Sequence, residues 1–295
     1  MMLGLDFTQQ YILKLGIIFL GIRLSFEEFI KFGSIAIPLI IVCILAVLIL
    51  IKLLIKKVPI SSKMSYLIAI GTSVCGATAI VATAPVINAK KTEIAYAIAN
   101  ITLFGVIAMI VYPYFAEWFF NENELKAGLF LGTAIHETSQ VAAAGLIYDQ
   151  QFNSPETLNV ATVTKLIRNT FLVIMIPLFA FLYNRGEMKG NTYSILDIFP
   201  YFVLGFIGMI IIRNLGDQIF SIESVNQIYW INLIEVIKIL ATTFLTMAMA
   251  AVGISINLSE LRLMGYKPFI VGLIAAVTVG FISLIYIQTI SKFFT

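Results

Sequence analysis

The stretch "GTAIHETSQVAAAG", Gly132 to Gly145, holds the chain's only histidine, His136, next to an acid, Glu137. Histidine changes charge near neutral pH and a carboxylate can take or give a proton, so the pair has the residue types for proton exchange. Gln140 follows four residues after His136 and falls on the same helical face. A second ionisable group lies in "TVTKLIRNTFLVIMIP", where Lys165 and Arg168 are three apart and face one way, with Asn169 adjoining. Both groups sit in apolar surroundings, where an ionisable side chain marks a functional site by default. The plainer alternatives are that His136 and Glu137 only bond neighbouring helices and that Lys165 snorkels to the interface. Arg168, about 12 Å into its segment at about 1.5 Å per residue, is too deep for a simple flank.

The surroundings are set by composition. The chain is 60% hydrophobic and 12% charged, with a mean hydropathy of +0.99, against roughly 45–50% apolar and about 25% charged in soluble domains. One water-soluble core cannot hide that excess, so lipid is the main solvent and an all-α polytopic membrane protein follows. The opening "MMLGLDFTQQ" lacks the basic region of a cleaved signal, so the first apolar run stays. Cys43 and Cys75 suggest no disulfide framework. A net charge of +3 is too small to argue for nucleic acid. "HETSQ" has glutamine where a zinc protease helix needs its second histidine, so no metal is expected. A lone histidine without a nucleophile partner gives no hydrolase triad, and the chain reads as a non-enzyme with no cofactor.

The apolar stretches give about nine predicted transmembrane segments, near 10–24, 34–55, 65–88, 93–114, 125–147, 160–183, 197–213, 228–256 and 266–289. The longest loops, 148–159 and 184–194, are polar turns, so residues 1–295 read as one membrane domain. Lys52, Lys56, Lys57 and Lys63 share one loop, which the positive-inside rule places in the cytoplasm. "NAKK" is also basic, yet segment counting puts it on the opposite side. Residues 19–33 align with 251–265, pairing Gly21 with Gly253, Ile22 with Ile254, Glu28 with Glu260 and Gly33 with Gly265. Counting makes these copies inverted, the arrangement of many secondary transporters. "GTSVCGATAIVATA" (71–84) aligns with "GTAIHETSQVAAAG" (132–145), but counting gives both the same direction. Either one stretch is re-entrant, the count between them is off by one, or they share only composition.

Runs of Gly, Thr, Ser and Ala inside a membrane serve close helix packing or mark discontinuous helices whose half-helix ends face a ligand. "SVCGATAIVATAP" holds Gly76 and ends at Pro85, which suits a break, and places Ser73, Cys75, Gly76 and Thr78 at it. Half-helix N-termini attract anions. Arg23 in "YILKLGIIFLGIRL" and Asn100 in "AIANITLFG" are further candidates, each with an anchoring or packing alternative, as has Lys14. Glu235 and Lys238 read as an i, i+3 pair near a membrane edge. More cations than anions surround the small-residue stretches, which suits an anionic substrate held by Lys165, Arg168 and Arg23, with His136 and Glu137 carrying a proton.

"GTSVCGATAIVATAPVI" followed by "GTAIHETSQVAAAG", with "KLGIIFLGIRLSF", "FLTMAMAAVGISINLSEL" and "KPFIVGLI", resembles the YeiH-type family of bacterial inner-membrane proteins labelled sulfate exporters. The likeness covers essentially the whole chain. It implies a fold like that of sodium–proton antiporters and bile-acid symporters, with 71–85 and 132–145 as two crossing broken helices. About two apolar segments that precede "LGIIFLGIRL" in the family are not seen ahead of it here.

The function expected is therefore secondary transport, out of the cytoplasm, of a small sulfate-like inorganic or organic anion, coupled to protons or sodium. No G-x-x-x-x-G-K-[ST] motif offers ATP as the energy source. The runner-up is a monovalent cation–proton antiporter. From another class comes a non-transporting membrane ligand sensor, which usually carries a soluble signalling domain. The lipid bilayer of the cell membrane is the expected setting, and a homo-oligomer is left open.

Overall fold

Four asparagines and serines punctuate the helices around the small-residue stretches. Asn121 (φ 47°) and Asn153 (φ 53°) end two long helices in the left-handed conformation, which asparagine tolerates better than most residues. Asn123 and Ser61 each cap the start of a helix, accepting from the backbone N–H of Lys126 at 3.0 Å and Met64 at 3.1 Å. The computed structural model describes residues 2–54, 57–58, 60–121, 123–183, 201–220, 225–255 and 266–290. In order the helices are α1 Met2–Phe7, α2 Leu13–Leu20, α3 Phe26–Leu54, α4 Ser62–Ser73, α5 Ala77–Thr83, α6 Lys91–Phe120, α7 Glu124–Ala134, α8 Thr138–Phe152, α9 Pro155–Thr170, α10 Leu172–Tyr183, α11 Phe202–Ile219, α12 Val225–Ser255 and α13 Tyr266–Ile290. Lys56, the loop at 184–194 and the second repeat copy beyond Ser255 lie outside the described residues.

The chain groups into two compact units. One is Met1–Ser34 with Pro200–Ser255; the other is Ile35–Phe199 with Ile256–Thr295. In the first, α2 packs on α11 and α12 through glycines. A side chain at Gly16 would meet Leu245, and one at Gly21 would run into the Phe206 carbonyl. Arg23 donates to Thr242 at 3.1 Å.

In the second unit, α6 and α13 run side by side in one direction. The Phe104 ring lies tilted against Phe269, with centroids 5.0 Å apart, and Gln288 donates to the Phe119 carbonyl at 3.2 Å. Between them the sequence segments 65–88 and 125–147 do not pass through the unit. Lys63, at the start of α4, bonds the Asn88 carbonyl at 2.6 Å, and Ser61 bonds Glu93 at 2.5 Å, so α4 and α5 form a hairpin that returns to its own end. At the other end, Tyr148 and Phe152 of α8 reach Glu117 and Tyr114 of α6. Thr157 meets the Glu124 carbonyl at 3.3 Å. Thus α7 and α8 also go in and come back. Helices of 12 and 11 residues, α4 and α7, reach about 16–18 Å, roughly half of a bilayer's ~30 Å core.

Two sequence expectations are corrected by this. "NAKK" lies on the same end as Lys63, because the segment between them is re-entrant. And only four helices among the described residues are long and apolar enough to cross a membrane: Phe26–Leu54, Lys91–Phe120, Gln227–Met247 and Tyr266–Thr289. The shortfall from nine falls where apolar runs are broken into shorter helices, as at 65–88 and 125–147. What stands is an all-α membrane protein. The small residues serve packing as well: a Cβ on Gly132 would lie 2.7 Å from the Ala161 carbonyl, and one on Gly145 would lie 2.8 Å from Leu158, so α9 lies close to both arms of its hairpin.

Candidate functional site at the meeting of two hairpins

The two hairpin tips, 73–77 and 134–138, meet beside α9. The four C-terminal carbonyls of any helix lack partners within it and form the negative end of its dipole. Here α4 and α7 end inside the protein, away from water, and α9 supplies the donors. Lys165 donates to the carbonyls of Val74 (2.9 Å), Ile135 (3.0 Å) and His136. Arg168 donates through Nε to Ser73 (2.8 Å), through Nη1 to Thr133 and through Nη2 to Thr72. Both cations are fully buried, at 0% exposure. Their three-residue spacing, legible in the sequence, places one turn of α9 across both helix ends.

The returning arms are treated in the opposite sense. Glu137 is the N-cap residue of α8, its carboxylate taking the N3 backbone N–H while Gln140 returns a bond to the Glu137 N–H at 3.2 Å. The same carboxylate accepts from Thr102 at 3.1 Å, and the Glu137 side chain lies against Gly76, the residue before α5. One negative side chain therefore sits on the starts of both returning arms. Gly76 makes this approach possible. Its φ is 68°, and a Cβ there would lie 2.5 Å from Glu137 Cγ. Gln140 in turn lies against Gly105 and donates to the Thr102 carbonyl at 3.2 Å.

Exposure separates the two sides. The carbonyl side, with Ser73, Val74, Ile135 and His136, is buried, whereas Thr78 is exposed and Ala77, Thr102, Glu137 and Thr138 are half-buried. A ligand reaching this site meets the N-terminal ends, hydroxyls and the carboxylate, not the cations. His136 is 1% exposed. Among the described residues neither ring nitrogen has a hydrogen-bond partner. Cys75 is a buried free thiol in the first tip.

Of the residues chosen from sequence, Ser73, Cys75, Gly76, Thr78, His136, Glu137, Gln140, Lys165 and Arg168 come together here. Ser73 contributes its carbonyl; its hydroxyl is buried without a partner. Asn100 is in the same unit but bonds the Pro268 carbonyl at 2.9 Å, joining α6 to α13. Arg23 belongs to the other unit. Sequence reasoning missed Thr102 and Thr138. Thr102 and Gly105 stand three apart on the face of α6 that receives Glu137 and Gln140, and that spacing was available in "NITLFG". Thr138 accepts from Asn169 at 3.0 Å.

The aligned stretches 71–84 and 132–145 have matching roles. Thr72 and Thr133, paired in that alignment, both accept from Arg168, and Val74 and Ile135, also paired, both accept from Lys165.

Comparison with known proteins places these features in a family. Residues 1–272 match the family model described as "Conserved hypothetical protein 698". A UPF0324 membrane protein of Fusobacterium nucleatum is 35% identical over 286 residues, covering 95% of this chain and 82% of the relative. One of Streptococcus agalactiae is 34% identical over 270 residues, 91% of this chain and 77% of the relative. One of Clostridium tetani is 32% identical over 303 residues, 98% and 83% respectively. No solved structure matches. The chain belongs to this UPF0324, or YeiH-type, family of membrane proteins.

Proposed function

We propose that the protein is a secondary active transporter exporting a small sulfate-like anion across the cell membrane, coupled to protons through Glu137. The observation that carries this reading is the Glu137 carboxylate seated on the accessible starts of α5 and α8. That place already holds an anion, one that belongs to the chain. A substrate anion can take it only when Glu137 yields, and protonation is the simplest way for it to yield. Occupancy by substrate and by proton are then linked at one residue. Lys165 and Arg168 act as positioning residues, holding the two tips together through backbone carbonyls, and leave the field at the site positive. The two hairpins, entering from opposite ends with equivalent carbonyls on the same cations, are the members of an inverted pair. Lys57, Lys63, Lys90, Lys91 and Lys267 lie toward one end of the second unit, and Lys126 with Glu117, Glu124, Asp149 and Glu156 toward the other. The positive-inside rule makes the lysine end cytoplasmic.

The test is flux into proteoliposomes under an imposed pH gradient, with radiolabelled sulfate, small sulfonates and small carboxylates. Anion movement tied to proton movement is the expected result. Glu137→Gln should keep anion–anion exchange and lose the response to the gradient. A second reading, a monovalent cation–proton antiporter, is favoured by the same accessible carboxylate with its Thr102 hydroxyl. Sodium-dependent acidification with no anion transported would select it.

A further inference from the structure

A cavity of about 410 Å³ lies between α4, α6 and α13 in the second unit, and none of its residues belongs to the hairpin tips. Lys90 and Thr92, at the start of α6, and Lys267 of α13 give it a polar mouth. Ile60, Met64 and Pro268 give it apolar walls. Pro268 stands about two turns further in than Thr92, since its carbonyl accepts from Asn100 of α6 at 2.9 Å. Helix α6 has 30 residues, about 45 Å at about 1.5 Å per residue, more than the ~30 Å of a hydrocarbon core. Its first turn therefore reaches headgroup level, and the cavity runs from there toward the acyl chains.

Positive charge is in excess at the mouth. Glu93 is the one carboxylate among the described residues lining the cavity, and both its oxygens are engaged. Oε1 accepts from the Ser61 hydroxyl at 2.5 Å, and Oε2 accepts from the Lys90 backbone N–H at 2.8 Å. Among the described residues neither Lys90 nor Lys267 forms an ion pair with a carboxylate. Lys267 Nζ lies 5.9 Å from the centroid of the exposed Tyr266 ring. Lys63 adds a further ammonium beside Glu93, held on the Asn88 carbonyl at 2.6 Å. Lysine with tyrosine, polar at the tip and apolar along the stem, is the pairing that suits a membrane–water interface.

We propose that this cavity binds the headgroup end of an anionic phospholipid. The phosphate sits between Lys90 and Lys267, with the Thr92 hydroxyl as a further donor. The glycerol and the first acyl carbons lie along Ile60, Met64 and Pro268. Basic pockets between membrane helices take such headgroups. A free phosphate would use the same lysines but leave the apolar walls bare. Ser61 and Met64 stand at the root of the α4–α5 hairpin and Pro268 on α13, so a bound lipid braces that hairpin against α13. The inference stands independently of what is transported.

The test follows the full chain in a neutral detergent as phosphatidylglycerol, phosphatidylcholine or inorganic phosphate is added. Phosphatidylglycerol should raise the unfolding temperature saturably and remain bound, as a single copy per chain, in native mass spectrometry. Phosphatidylcholine and inorganic phosphate should do neither. Lys90→Gln combined with Lys267→Gln should weaken phosphatidylglycerol binding by about tenfold or more. Ile60→Trp, which fills the cavity without changing charge, should weaken it too. Lys52→Gln removes an exposed lysine outside the cavity and should leave binding unchanged. Equal effects of the two lipids, no saturable binding of phosphatidylglycerol, or stabilisation by inorganic phosphate alone would overturn the proposal. So would binding that the cavity variants leave intact, or that Lys52→Gln weakens as much as they do.

Discussion

Lys165 and Glu137 hold opposite sides of the same two helix breaks. The ammonium takes carbonyls from the ends of α4 and α7, Val74 and Ile135 among them, and the carboxylate takes a backbone N–H at the start of α8 and lies against Gly76, just before α5. Helix dipoles facing each other across a break are thereby compensated at both signs by side chains of the chain itself. The tips stay together in a membrane where no bulk water can satisfy them.

Removing either cation strands three buried carbonyls, each worth about 1–3 kcal/mol when left unpaired. Lys165→Met and Arg168→Met should each destabilise the protein by about 3 kcal/mol or more, seen as a lowered unfolding temperature in detergent. Arg168→Lys keeps the charge but lacks the planar fork that reaches Thr72 and Thr133 together, so its loss should be intermediate. Unchanged unfolding temperatures would refute the positioning role.

Gly76→Ala forces a side chain into a left-handed conformation, at roughly 1–3 kcal/mol, and pushes it against Glu137. The second contribution disappears when Glu137 is also shortened. In a double-mutant cycle, Gly76→Ala and Glu137→Ala should therefore destabilise together by less than their sum, with a coupling of roughly 0.5–3 kcal/mol. Strict additivity would mean that the two residues do not touch.

Two glycines should behave in opposite ways. At Gly132 an added methyl meets the Ala161 carbonyl and Thr164 Cβ, both at 2.7 Å, whereas at Gly208 in α11 it meets nothing within 4 Å. Gly132→Ala should lower stability by about 1–3 kcal/mol, while Gly208→Ala should be neutral or raise it by up to about 1 kcal/mol. Equal effects would argue against the close packing of α7 on α9.

Much of the site was legible because intramembrane polarity is rare. His136, Glu137, Lys165 and Arg168 stood out against apolar neighbours, and the three-residue step between the two cations fixed their common face. What composition could not show was which partners they meet. A cation in lipid calls for negative charge, and the sequence suggests a bound anion; the structure supplies helix-end carbonyls instead, whose unpaired state depends on where α4 and α7 stop. Re-entrance was hidden for a related reason. An apolar run of some twenty residues looks alike whether it passes through or turns back, and the return at 74–76 hinges on a single positive φ at Gly76. The lysines of "NAKK", on the wrong side by counting, were the visible trace of it.

The site exists only if each small-residue stretch enters and leaves by the same face. Single cysteines at Ser62, Lys90, Asn123 and Gln151, labelled in intact and inverted membrane vesicles with an impermeant maleimide, measure this directly. Ser62→Cys and Lys90→Cys should react from one side, and Asn123→Cys and Gln151→Cys from the other. Ser62→Cys and Lys90→Cys labelled from opposite sides would make residues 62–90 a through-going span and contradict the hairpin on which the site is built.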